Sequence, residues 1–132
     1  FAARYTAAGA HVWSRVLPTR PQGSRANVSS VHVGDGNWLW IAGTVSGTVD
    51  LGLGNVTTSP GGSSSEPFKL EPFFVGLDAT TGVTRRATLL TGGKTIVLTG
   101  RGTSFFFSGT YGASIDAGGG ALPAPPASAQ TR

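Results

Sequence analysis

The sequence predicts an all-β fold, and three observations carry that expectation. First, 21 glycines and 8 prolines are spread through 132 residues, so no stretch is left for a long helix. Second, short apolar runs bounded by Gly, Asn, Asp or Pro recur from end to end, and none keeps a 3.6-residue period over a helix's length. Third, only 12% of the residues are charged, about half the usual share, so the surface is left to Ser, Thr, Gly and Asn. Such surfaces suit sheet-rich, exported proteins. An apolar fraction of 39%, with three Trp, seven Phe and two Tyr, is enough for a core and argues against global disorder. The length is that of one domain.

Taken in order, strands are expected over Phe1–Tyr5, Ala10–Leu17, Val28–Val33, Trp38–Ala42, Thr48–Leu51, Phe73–Leu77, Val83–Leu90, Thr95–Thr99, Ser104–Ser108 and Ser114–Asp116. Gly34-Asp35-Gly36-Asn37, between two of them, supplies residues that tolerate the positive φ of a tight hairpin. Pro18–Ala26 and Ser59–Pro72 read as loops, because Pro and Gly disfavour a central strand. The tail from Gly118 to Arg132 reads as extended or disordered.

Self-comparison uncovers an internal repeat. Ala42–Gly54 (AGTVSGTVDLGLG) aligns without a gap on Ser108–Gly120 (SGTYGASIDAGGG). Gly43, Thr44, Asp50, Gly52 and Gly54 recur as Gly109, Thr110, Asp116, Gly118 and Gly120, with Leu39-Trp40 matched by Phe105-Phe106 ahead of them. A second block relates Phe1–Gly9 to Phe73–Gly82 with one extra residue in the later copy. The recurring Gly are expected where a strand bends or another backbone comes close, and the recurring Asp where a side chain bonds its own backbone to set a turn.

About four strands per ~45–65 residues is the size of a propeller blade. The expected organisation is antiparallel four-stranded propeller-type blades, about two repeats long. Residues 1–9 form the last strand of a preceding or permuted blade, 10–82 the first blade with its insertion at 59–72, 83–120 a second, incomplete blade, and 121–132 a Pro/Ala-rich tail. Two blades cannot close a ring, since propellers use about 4–8. The strand at the start is the one the last unit lacks, so the chain reads as an incomplete ring that closes with further blades or with identical copies.

The pattern Gly9-x-x-x-Trp13-Ser14, then Val31-x-Val33-x-Asp35-Gly36-Asn37, then Ile41-Ala42-Gly43-Thr44-x-Ser46-Gly47-Thr48-Val49-Asp50-x-Gly52 resembles the bacterial β-propeller repeats often called seven-bladed bacterial propeller repeats. The likeness spans nearly the whole chain and is closer in the first unit. The second departs, with Arg85-Arg86 in place of Val12-Trp13 and Thr99-Gly100-Arg101-Gly102 in place of the Asp-Gly-Asn turn. The resemblance implies a multi-bladed propeller in secreted or surface-associated bacterial proteins, usually without an established enzymatic role. It brings no catalytic residues with it.

The residues themselves point away from chemistry. With no Cys there is no disulfide, thiolate metal site or cysteine nucleophile, and with no Met the chain reads as a processed or excised piece. His11 and His32 are the two imidazoles. Ser14 or Ser46 with His32 and Asp35 makes a hydrolytic site only on paper, since the Gly-x-Ser-x-Gly elbow is missing. Asp35 and Asn37 offer too few oxygens for a calcium loop. Gly52-Leu53-Gly54 imitates a dinucleotide loop with no helix after it, so no cofactor is expected. Net charge is +4, the Arg are scattered, and Arg85-Arg86 is the one adjacent basic pair, which argues against a nucleic-acid surface. No apolar run reaches the ~20 residues of a membrane span.

Two functions compete. The favoured one is a non-catalytic structural or protein-interaction module, extracellular or on the cell surface, whose partners are further blades or copies of itself. The alternative is a carbohydrate-binding lectin in which Trp13, Trp38 or Trp40 stacks on a sugar while Arg15 or Asp35 hydrogen-bonds it.

Overall fold

A computed structural model describes residues 1–17, 19–63, 67–101, 104–112, 114–117 and 119–124, with the backbone alone for 19–23. All regular structure among them is strand: β1 (Ala2–Tyr5), β2 (His11–Arg15), β3 (Thr19–Gly34), β4 (Trp38–Asp50), β5 (Asn55–Thr57), β6 (Glu71–Asp78), β7 (Thr84–Leu89), β8 (Gly93–Arg101), β9 (Ser104–Tyr111), β10 (Ile115–Asp116) and β11 (Ala121–Leu122). The fold is all-β and every pairing is antiparallel. Strands β3, β4, β6 and β7 form a meander in chain order, with β5 turned back onto the end of β4. The pairs β1–β2, β8–β9 and β10–β11 are separate two-stranded ladders.

Side-chain alternation sorts the meander's apolar residues onto two faces. On one face Ile41, Val45 and Val49 of β4 join Phe73, Val75 and Leu77 of β6, and Trp13 of β2 with Ala2 of β1 covers them. On the other, Trp40 and Ala42 of β4 join Phe74 of β6, covered by Ile96 and Leu98 of β8 and by Phe105 of β9. The molecule is therefore three layers: hairpin β1–β2, the meander, hairpin β8–β9. Buried on both faces, β6 reads EPFFVGLD, an apolar run without alternation. Each fully buried Phe or Leu here contributes roughly 1.5–3 kcal/mol of transfer free energy.

The internal repeat has a geometric counterpart. In β1–β2, Ala2 faces Arg15, Ala3 faces Ser14 and Arg4 faces Trp13, after which a bulge brings Tyr5 opposite His11. In β6–β7, Phe74 faces Thr88, Val75 faces Ala87 and Gly76 faces Arg86, and a bulge at the same place brings Leu77 opposite Thr84. The two turns also match. Gly9 N–H donates to the Thr6 carbonyl at 2.9 Å and Gly82 N–H to the Asp78 carbonyl at 2.8 Å, with Gly9 at φ +83° and Gly82 at φ +72°. Likewise Val49 and Asp50 pair with Val56 and Asn55, as Ile115 and Asp116 pair with Leu122 and Ala121. Hairpin β1–β2 thus corresponds to β6–β7, and β8–β9 with β10–β11 corresponds to β3–β4 with β5.

Strand partnership differs from the sequence reading in three places. Val83–Leu90, expected to open a second unit, contains β7, which bonds β6 and ends the meander. Ala10–Leu17, expected to open the first, contains β2, which bonds β1. In both cases a connection of a few residues makes the strand fold straight back on its predecessor. The third difference is Pro18–Ala26, expected to be a loop, where β3 begins at Thr19. Its partner β4 runs unbroken to Asp50 through Gly43 and Gly47 instead of splitting into two strands, and so supplies ladder positions for a longer neighbour. The extra residues are absorbed as an irregularity between Arg20 and Arg25. Beside it Gly47 takes φ +87° and Thr48 N–H donates to Ser24 Oγ at 3.2 Å.

Two further boundaries move. Within Ser59–Pro72 the described residues make a single bridge, Pro60 to Phe68, while Glu71 and Pro72 already belong to β6. Pro72 fits because it is the second residue, where the ladder is only starting. In the tail, Ala121 and Leu122 form β11, and residues 125–132 lie outside the described set. The expected Asp-Gly-Asn hairpin is present, with Gly36 at φ +68° and Asn37 at φ +65°.

Candidate functional site

The recurring residues build matching corners. A Cβ on Gly43 would overlap the carbonyl oxygen of Asn27 across the β3–β4 ladder, and a Cβ on Gly109 that of Thr95 across β8–β9. The next residue in each case, Thr44 or Thr110, faces that same Asn27 or Thr95. The Thr95 and Thr110 hydroxyls lie 2.8 Å apart. Asp50 Oδ1 accepts from Gly52 N–H at 2.6 Å and Gly54 N–H at 3.3 Å, while Asp116 Oδ1 accepts from Gly120 N–H at 3.2 Å. Gly54 and Gly120 take φ +113° and +104°. Gly52 abuts Thr84, whose hydroxyl donates to the Leu51 carbonyl at 3.1 Å, so this corner is sealed against β7. Gly118 lies outside the described residues. These carboxylates and glycines shape backbone.

The five residues considered for a ligand fall in three separate places. Trp13 is buried on the β1–β2 side, with its indole N–H donating to the Ala79 carbonyl at 3.1 Å. Arg15 donates to the Gly82 carbonyl at 3.0 Å. On the opposite face Trp38 and Trp40 stack with centroids 4.9 Å apart, and Trp40 also stacks on Phe105 at 4.1 Å. Trp40 is buried, and the Arg85 guanidinium lies over the half-buried Trp38 ring at 5.2 Å. Asp35 is exposed in the β3–β4 turn. Trp13 and Trp40 are thus spent on packing between layers, and of these five the stacked pair Trp38–Trp40 lies apart from Trp13, Arg15 and Asp35.

The catalytic candidates are dispersed as well. Ser46 donates to the Phe68 carbonyl at 3.3 Å. His32 fills the notch left by Gly100, with its Nε2 buried and unpartnered among the described residues. Among the same residues no three His, Asp or Glu side chains come together. An open cavity of about 900 Å³ lies between the loop after β5 and the β7–β8 turn, with Arg25, Lys69 and Lys94 on its wall. Its one buried carboxylate, Glu71, accepts from Ser59 Oγ at 2.8 Å.

The β6–β7 turn, which holds none of the candidate residues, ties hairpin β1–β2 and the β3–β4 turn to one end of the meander. Arg4 and Trp13 both reach the Ala79 carbonyl, and Asn37 donates to Asp78 Oδ1 at 3.0 Å. Thr80 and Thr81 N–H donate to the same oxygen at 2.8 and 2.9 Å, and Arg85 pairs with Asp78 Oδ2. The only hint in the sequence was the turn composition Asp-Ala-Thr-Thr-Gly. The backbone N–H of Thr81, followed by that of Thr80, the Thr81 side chain and the Arg85 charge, outweighs desolvation and holds the Asp78 carboxyl below its ordinary value. A carboxyl depressed on folding contributes stability that is full above its unfolded pKa and is lost as pH falls through the folded one. Stability is therefore expected to drop below about pH 4. Asp78→Asn should flatten that part of a urea-midpoint-against-pH curve, and an unchanged curve would show that the turn is not held by this charge.

The remaining feature is an asymmetry of exposure between corresponding positions. Trp40 is 8% exposed but Phe106, its counterpart, 60%; Phe73 is 0% but Phe1 87%; Leu77 is 1% but Tyr5 59%. Among the described residues, β4 has ladder partners along both edges, β3 and β6, whereas β9 has β8 alone. Likewise β6 has β4 and β7, whereas β1 has β2 alone. Comparison with known proteins adds nothing to this picture: no family model, no curated protein and no solved structure matches the chain.

Proposed function

We propose that the chain is a non-catalytic structural and protein-interaction module, built of propeller-type blades, of a secreted or surface-associated bacterial protein, and that it closes by association with further blades or with copies of itself. The observation that carries this reading is the pair of strand edges, on β1 and β9, each lacking among the described residues the partner that its counterpart in the meander has. Unpaired edges flanked by exposed aromatics are surfaces that folded proteins otherwise protect. The absence of Cys, the low charge and the likeness to bacterial propeller repeats favour a place outside the cell or on its surface. Asp50, Glu71, Asp78 and Asp116 are engaged in holding turns and loops, which favours an architectural role over catalysis.

Hydrogen exchange on dilute, monomeric chain tests the reading. The edge amides of β1 and β9 are expected to exchange at nearly the free rate, while those of Glu71–Asp78 are protected. If β1 and β9 in the monomer were as protected as β6, the module would need no partner and the reading would fall.

A further inference from the structure

The two incompletely paired hairpins are complementary halves of the sheet that the chain already shows entire. We infer that β1 of one copy pairs antiparallel with β9 of a second copy, in the register in which β6 pairs with β4, so that β8–β9 of one molecule and β1–β2 of the next make a four-stranded meander. This rests on the module reading above and names its partner.

The register follows from the observed ladder. Phe73 faces Gly43, Phe74 Ala42, Val75 Ile41, Gly76 Trp40 and Leu77 Leu39. Carried to corresponding residues, Phe1 faces Gly109, Ala2 Ser108, Ala3 Phe107, Arg4 Phe106 and Tyr5 Phe105. A one-residue error would turn every side chain to the wrong face, so observed orientation checks the assignment independently. Phe105 and Phe107 point toward their own meander, where they stack on Trp40 and Phe74. Their partners must then point away from the meander of the second copy. Ala3 and Tyr5 meet that requirement, since in β1 it is Ala2 and Arg4 that face their own layer, through the core and the Ala79 carbonyl. Conversely the outward Phe106 meets the inward Arg4. All the pairs agree.

Within one chain the pairing is barred. The two hairpins lie on opposite faces of the meander, about 20 Å apart at ~10 Å per layer, so the partner is another molecule. The contact is head-to-tail and closes as a ring or continues as a filament. Each copy adds one whole meander and two halves, so roughly two to four copies reach the four to eight sheets of known rings.

A chain without cysteine gives disulfide trapping a clean background. Full-length single-Cys variants are mixed and oxidised: Ala2→Cys with Ser108→Cys, and separately Ala3→Cys with Phe107→Cys. Adjacent antiparallel pairs alternate between wide and narrow spacing, so one of the two mixtures places its sulfurs within bonding reach. The control is Ala3→Cys with Ser108→Cys, which sit on opposite faces. A mixed disulfide is expected in one in-register mixture at roughly tenfold the control yield. Light scattering of the unmodified chain should give a multiple of 13.4 kDa. No mixed disulfide from either in-register mixture, or equal yield from the control, would overturn the inference. In that event the exchange experiment still decides the module reading, because rapidly exchanging β1 and β9 edges without copy pairing would leave other blades as the partner.

Discussion

Phe73→Ala is expected to cost the isolated chain about 3–5 kcal/mol, roughly a fifth or more of the ~5–15 kcal/mol that holds a domain together. Phe73 has no exposed surface and lies in the core formed by Trp13, Ile41, Val45, Val49, Leu51, Val75 and Leu77. It also faces Gly43 across one ladder and Leu89 across the other, so backbone on both sides holds the cavity open. The matched variant is Phe1→Ala, at the corresponding position of β1. Phe1 is almost wholly exposed, and its removal should shift stability by less than about 0.5 kcal/mol in dilute solution. Urea unfolding reads both, with the midpoint moving for the first and hardly for the second at unchanged slope. A Phe73→Ala midpoint close to that of the unmodified chain would mean that the meander's covered face is not the core described here. If Phe1→Ala is nearly silent when dilute but lowers stability once the chain associates, the two results together locate the second copy on β1.

Gly43→Ala is the second large effect, with an expected loss of about 2–4 kcal/mol from overpacking together with a strained ladder bond. The new methyl would overlap the Asn27 carbonyl oxygen and crowd Val28 Cα. Both are backbone of a strand held along its length by β4, and they cannot rotate away as a side chain would. Relief requires β3 and β4 to part, and Gly43 stands between β3 and β6, so the disturbance reaches both ladders. Gly109→Ala meets the same obstacle at the Thr95 carbonyl, but β9 has one described partner strand and more room to bend. A smaller loss is expected there. Thermal unfolding of the two variants side by side decides the matter. Equal and negligible effects would show that the repeated glycine marks nothing about strand approach.

The legible part of this molecule was its punctuation and its recurrence. Gly36 and Asn37 take the positive φ that their composition foretold, Asp50 and Asp116 bond the amides four residues on, and Gly43 and Gly109 stand at equivalent close approaches. Each is a short-range consequence of residue type, set by the missing Cβ of glycine or by a carboxylate beside its own backbone. The ligand candidates show the opposite limit. Trp13 and Trp40 carry the same aromatic signal that a binding platform would, and composition does not distinguish an indole between layers from one facing solvent.

Sequence alone determined that the chain is built of antiparallel strands, where its Asp-Gly-Asn hairpin lies, and which residues repeat, because these depend on contacts a few residues long. Tertiary structure decided which strands share a sheet. The repeat pattern alone closes the first unit after β6, yet β7 completes that sheet and β2 turns back to β1, since a strand's neighbour is set by the reach of its connection and by which face can be covered. Only with the three layers in place do β1 and β9 fall on opposite sides of the meander, each with an open edge among the described residues. The complementarity written into the repeated residues cannot be satisfied within one chain, because a packed sheet stands between the two halves.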